Sequence, residues 1–165
     1  MAKREKLQKT NAMRELERAG MEVGVLWQDG RAFRGPHAIR MHVAEQLGEE
    51  PGQGFKTLVC ETASGGHAVC CIPVAEELDL KAAARALGEK SLVMMHVRDL
   101  VPVTGYMRGG CSPVGMKKRF PTVIDETCEL WDQIFISGGR RGIQLVIAPT
   151  DLVSFVGATV AAITR

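Results

Sequence analysis

Residues 105–120, GYMRGGCSPVGMKKRF, gather the groups best suited to chemistry: Gly109 and Gly110, Cys111, Ser112, Pro113 and the triplet Lys117-Lys118-Arg119. A cysteine nucleophile needs a base within hydrogen-bond reach. The nearest histidine in sequence, His96, stands on a Met-rich apolar stretch, and no family-specific cysteine-protease signature surrounds Cys111. Gly-Cys-Ser-Pro-Val is not the Gly-x-Ser-x-Gly elbow of a nucleophilic serine either. The glycines offer more. Gly109 and Gly110 admit backbone angles closed to other residues and let a ligand approach the main chain. Successive N–H groups in such a turn form an anion-binding concavity. They can equally form an oxyanion hole, where one donor is worth about 2.7–4 kcal/mol of barrier. A plain Gly-rich turn fits the spacing just as well.

Lys56, in FKTLV, is the other candidate. Alternation puts Phe55 and Thr57 on the opposite face, and a strand lysine ordinarily faces water. The net charge of +2 announces no global field for nucleic acid, but its distribution is uneven. Arg108, Lys117, Lys118 and Arg119 surround the first glycine loop, and Arg140 and Arg141 sit in a second, GGRRG. Such local clusters fit a phosphate-bearing ligand better than a long duplex. From charge alone, solvated loops are the simpler explanation. The five cysteines cannot all pair, Cys70 and Cys71 are adjacent, no Cys-x-x-Cys occurs, and the four histidines are scattered. A disulfide framework and a zinc site are therefore not expected, and most of these thiols should act as small buried hydrophobes. No metal and no cofactor is implied.

These residues need a scaffold. A chain of 165 residues, 45% hydrophobic and 24% charged, reads as one domain, residues 1–165, with a proper core. No apolar run reaches the roughly 18 residues of a membrane span. The basic N-terminus leads into no apolar segment, so the expected location is cytoplasmic. Asn11 is placed to cap a helix that carries Ala12, Leu16 and Ala19 and stops at Gly20. EVGVLW reads as a strand and residues 36–48 as a helix. FKTLVCE and HAVCCIPV, joined by TASGG, read as a hairpin. Leu80, Ala83, Ala84 and Leu87 share a helical face between Asp79 as cap and Gly88 as stop. SLVMMH, TVIDE, QIFIS and IQLVIAP read as strands, and GGRRG as the tight turn between the last two. Thr150 is placed to cap a final helix carrying Leu152, Phe155, Val156, Thr159 and Ile163. The expected fold is mixed α/β: a curved, largely antiparallel sheet surrounded by helices.

FKTLV, DLKAAARALG, TGYMRGGCSPVGMKKRFPTVID, ISGGRRG and IAPTDL occur in that order. Together they resemble the bacterial Cys-tRNA(Pro) deacylases, the YbaK-type family, over about Thr10 to Ile163. These belong to the superfamily of the editing domain inserted in bacterial prolyl-tRNA synthetases. The resemblance implies that fold, and hydrolysis of the ester joining a wrong amino acid to the 3′ end of tRNA. It implies a shared lysine, here Lys56, meeting the 3′-terminal phosphate. It also implies a G-x-x-x-P loop, here Gly109 to Pro113, whose amides hold the carbonyl or terminal ribose. Metal and enzyme nucleophile are not needed. In cysteine-specific members the substrate's own thiol attacks its carbonyl and leaves as a cyclic thioester. Lys56, Gly109 and Gly110 are then the catalytic candidates. Arg108, Cys111, Ser112, Pro113 and Lys117 join Trp27 and Gln144 as substrate-binding candidates.

Two positions depart from the cysteine-type pattern. Trp27 and Gln28 stand where a first-strand tyrosine is usual, and Gln144 stands where an acid sometimes follows the second glycine turn. Both bear on which amino acid is removed, since sister families clear alanine, serine or threonine with water. The partners implied are mischarged tRNA and, for tRNA selection, prolyl-tRNA synthetase. Two readings from other classes compete: a noncatalytic module that binds the RNA end or the synthetase, and an unrelated hydrolase using Cys111.

Overall fold

A computed structural model describes residues 8–27 and 50–165. The helix expected over residues 36–48 lies outside them, as does Gln28. Two sheets form the scaffold. The five-stranded sheet has the order β4-β2-β3-β5-β8, from β2 (Phe55–Thr62), β3 (His67–Pro73), β4 (Leu92–Met94), β5 (Thr122–Asp125) and β8 (Thr159–Ala161). The three-stranded sheet, β1-β7-β6, comes from β1 (Gly24–Trp27), β6 (Ile134–Ser137) and β7 (Ile143–Ile147). Pairing is antiparallel in β1–β7, β6–β7, β2–β3 and β2–β4, and parallel in β3–β5 and β5–β8. The mixed, largely antiparallel α/β fold is thus the one expected, with the sheet divided in two. Among the described residues, a parallel bridge from Gly54 to Phe135 links the halves.

The apolar face of each element explains this arrangement. Ile134, Ile136, Ile143, Leu145 and Ile147 of the small sheet pack against Phe55, Val69, Cys71 and Ile124 of the large one. Helix α1 (Asn11–Arg18) adds Ala12, Met13 and Leu16, and α4 (Pro149–Val156) adds Leu152. On the other face of the large sheet, Cys60, Cys70 and Ile72 are covered by Ala83 and Ala84 of α2 (Leu80–Leu87). That helix begins and ends as its sequence dictates. The Asp79 carboxylate accepts from the Ala82 amide at 3.0 Å, and Gly88 closes the last turn. All five cysteines are free and buried.

Three local expectations are corrected. The cap of α1 is Thr10, whose extended backbone lets its hydroxyl accept from the Met13 amide at 3.2 Å; Asn11 is already helical. The final helix starts with Pro149 after Ala148, so Thr150 is inside it and not its cap. It ends at Gly157, and Thr159 and Ile163 do not belong to it. The β-branched Thr159 and Val160 instead extend the sheet alongside β5. Ile163 donates its amide to the buried Asp125 carboxylate at 2.9 Å. Residues 97–104, given no element from the sequence, form a 3-10 turn and the short helix α3 (Leu100–Thr104). Pro102 is tolerated there because the first turn of a helix needs no N–H from it.

Candidate functional site

The loop after α3 is pinned at several points. Tyr106, the sole tyrosine of the chain, is buried, and its hydroxyl donates to the Val114 carbonyl at 2.6 Å, bridging the loop's two ends. Its backbone amide donates to the Thr104 hydroxyl at 3.0 Å. The ring packs with Val59 of β2, Met95 and Cys111. Beyond it, the first turn of α1 and the β6–β7 turn close in. A Cβ on Gly115 would lie 2.6 Å from both the Ala12 nitrogen and the Tyr106 hydroxyl, and one on Gly139 would lie 2.9 Å from the Tyr106 ring. Thr10 completes the junction by donating to the Gly138 carbonyl at 2.5 Å.

Within this frame, Met107 to Gly110 make a tight turn, closed by the Gly110 amide donating to the Met107 carbonyl at 2.9 Å. Gly109 has φ +83°, the region a type II turn requires at its third residue. The backbone of Gly110 lies against the second glycine turn, so that a Cβ there would sit 3.0–3.1 Å from main-chain atoms of Arg140 and Arg141. The side chain of Arg141 crosses over Gly109, and its Nε donates to the Arg108 carbonyl at 2.9 Å. Among the described residues, no acceptor meets the amides of Gly109, Cys111 or Ser112.

The side chains beside those amides are poor nucleophiles. Burial pushes the Cys111 thiol up to about 11, only partly offset by the Thr104 hydroxyl. Near neutral pH, roughly one thiol in ten thousand is then a thiolate. Ser112 is fully buried, and its hydroxyl accepts from the Val114 amide at 3.3 Å, within the loop. Pro113 is buried beside it.

The structure brings together Arg108, Gly109, Gly110, Cys111, Ser112 and Pro113 with Arg140 and Arg141. β2 pairs with β3 in unbroken register, so Lys56 shares its face with Leu58 and Cys60, the face that α2 covers. Val59, from the opposite face, packs under the loop. The strand alone therefore does not aim Lys56 at the loop. Gln144 is half-buried on β7, off the apolar row of Ile143 and Leu145. Trp27 ends β1 opposite Ile143. The basic triplet is not three free cations. Lys117 donates to the Pro102 carbonyl at 3.4 Å, and Arg119 donates to the Phe155 carbonyl at 3.1 Å while covering the Phe155 ring. Lys118 lines a cleft behind the loop with Glu15, Pro113 and Phe155. Among the described residues, no three His, Cys, Asp or Glu side chains are grouped to hold a metal, and no helix is long and apolar enough to cross a membrane.

A mixed α/β scaffold carrying an amide-rich glycine loop is the form of an aminoacyl-tRNA editing domain. The chain matches the model of that family over residues 40–155 and belongs to it. Among its relatives is EbsC of Enterococcus faecalis, a candidate Cys-tRNA(Pro)/Cys-tRNA(Cys) deacylase. The two are 43% identical across 99% of this chain and 98% of that one. A crystal structure of a candidate trans-editing enzyme for prolyl-tRNA synthetase superposes with TM-score 0.74 at 25% identity, covering 96% of this chain and 99% of that one. The hypothetical protein APE2540 shares the fold alone, with TM-score 0.78 at 23% identity, over 94% of this chain and 100% of that one.

Proposed function

We propose that this chain is a trans-acting deacylase that removes cysteine from mischarged Cys-tRNA(Pro) in the cytoplasm. One observation carries the chemistry: the unclaimed amides of Gly109, Cys111 and Ser112 on a loop fixed from several sides. An aminoacyl ester is already activated, so the protein has to orient it and stabilise the oxyanion. Amides with no internal acceptor, held in place before substrate arrives, suit that task. The protonated, buried Cys111 thiol argues against a covalent intermediate on the enzyme. In this reading the substrate's thiol loses its proton and attacks its own carbonyl. The carbon–oxygen bond of the ester breaks, and the ribose oxygen leaves and takes up a proton. The 43% identity to EbsC supports cysteine as the residue removed. The likeness to a candidate trans-editing enzyme for prolyl-tRNA synthetase supports that synthetase as the partner for tRNA selection. Lys56 enters through the family resemblance, as the cation for the 3′-terminal phosphate.

The test is hydrolysis of Cys-tRNA(Pro) and Ala-tRNA(Pro) by purified protein, beside the Cys111→Ala and Lys56→Ala variants. The cysteinyl ester should be lost selectively, Cys111→Ala should stay within about twofold of the parent, and Lys56→Ala should raise KM. Selective loss of the alanyl ester would assign the sister specificity, with water as nucleophile. Abolition by Cys111→Ala would make the thiol the nucleophile after all, and no loss of either ester would leave a binding module.

A further inference from the structure

We propose that Arg141 is a positioning residue that selects which way the Gly109 amide points; its catalytic consequence rests on the deacylase reading above. Turns of types I and II share their closing hydrogen bond and differ by a flip of the central peptide. In the Met107–Gly110 turn, the central peptide joins Arg108 to Gly109. The closing bond from Gly110 to Met107 is compatible with both forms. Glycine at the third position removes the steric bias that other residues impose, so the turn by itself does not fix the flip.

Arg141 supplies the missing choice. Its Nε holds the Arg108 carbonyl at 2.9 Å. In a planar trans peptide the carbonyl and the N–H point in opposite directions. Fixing the Arg108 carbonyl toward the second glycine turn therefore fixes the Gly109 amide away from it. The positive φ of Gly109 agrees with this arrangement. A Cβ on Gly109 would lie 3.0 Å from Arg141 Nε and 3.3 Å from its Cγ, so the side chain lies directly over the turn. The clamp has a rigid base, because the Arg140–Arg141 main chain already abuts Gly110. The GGRRG turn thus reaches the reaction by setting the direction of a donor, with no need to touch substrate.

Arg141→Ala and Arg141→Lys separate this role from a phosphate contact. Lysine keeps the charge but places a methylene where arginine carries Nε. Two measurements are paired. In the free protein, NMR reads the contact between the Arg108 Hα and the Gly109 amide proton, which is strong in a type II turn and weak after the flip. With mischarged tRNA, steady-state kinetics separates kcat from KM. Both variants should weaken the NMR contact and lower kcat about tenfold or more with KM little changed, since one misaligned oxyanion donor costs up to 10²–10³. An unchanged NMR contact in Arg141→Ala overturns the proposal. A weakened contact with full kcat overturns its catalytic part. An effect confined to KM, restored by lysine and reduced by salt, makes Arg141 a phosphate contact instead. Should the parent protein cleave no aminoacyl ester, the deacylase reading fails while the NMR comparison still decides whether Arg141 sets the turn.

Discussion

The turn at residues 138–142 is tied at its base by hydrogen bonds to its own flanks. Gly138 donates to the Ile143 carbonyl at 2.8 Å, Ile143 to the Arg140 carbonyl at 3.2 Å, and Gly139 to the Ser137 hydroxyl at 3.2 Å. The loop at residues 105–115 is held largely by side chains instead, Tyr106 from within and Arg141 from the neighbouring turn, with α1 packed against Gly115. Its own main chain leaves the amides of Gly109, Cys111 and Ser112, among others, unclaimed. A turn tied through its own main chain and its flanking strands can act as a support. A loop that is fixed from outside can stay rigid and still offer donors to a substrate.

Gly115→Ala should disturb the clamped loop most severely. The new Cβ would meet α1 and Tyr106 at 2.6 Å in a left-handed conformation, φ +79°. The expected loss is about 2–5 kcal/mol in urea denaturation, from overpacking and backbone strain together. Gly65→Ala, in the β2–β3 hairpin at φ +88° with open space around it, isolates the strain and should cost only about 1–2 kcal/mol. Equal losses would mean that the loop is not clamped against α1.

Tyr106→Phe is a milder cut. It leaves the Val114 carbonyl without its donor in a buried setting, which should cost about 1–3 kcal/mol by the same denaturation assay. A variant as stable as the parent would show that the ring's packing alone holds the loop.

The smallest effect is alkaline. Burial raises Cys71 to about 12 and Cys111 and Cys128 to about 11, from an ordinary 9.0. Above pH 9 the folded chain therefore binds more protons than the unfolded one, so stability falls as pH rises. The melting temperature should hold below pH 9 and decline toward pH 11, less steeply in Cys111→Ala. A flat profile would mean that the thiols are not buried in solution.

Much of this was legible in the chain. Asp79 and Gly88 marked α2, and the β-branched runs around TASGG marked the β2–β3 hairpin, because caps, turns and alternation are local signals. The glycines of residues 109–110 pointed to a backbone site by their type alone. The loop's support was not legible. Which partner Arg141 takes, and which face of β2 meets the loop, depend on contacts across dozens of residues that no local pattern encodes. A lone tyrosine between Gly105 and a glycine pair was the nearest available signal for Tyr106. The final helix misled for a local reason. Leu152, Phe155 and Val156 fit a helical stripe, and Thr159 and Ile163 continued its spacing, but Gly157 ended it, Thr159 paired beside β5, and Ile163 bonded to Asp125.

The bond from Thr10 to Gly138 spans 128 residues, and among the described residues β1 pairs with β7. Closing a loop of that length costs about 4 kcal/mol beyond the constant for initiation. Contacts of such separation also slow folding. On the ribosome, α1 and β1 emerge early and must wait for β6 and β7. The site therefore assembles only once residues 138–147 have been made, and a chain cut short before residue 138 would have its glycine loop without Arg141 and without the Gly138 carbonyl that Thr10 holds.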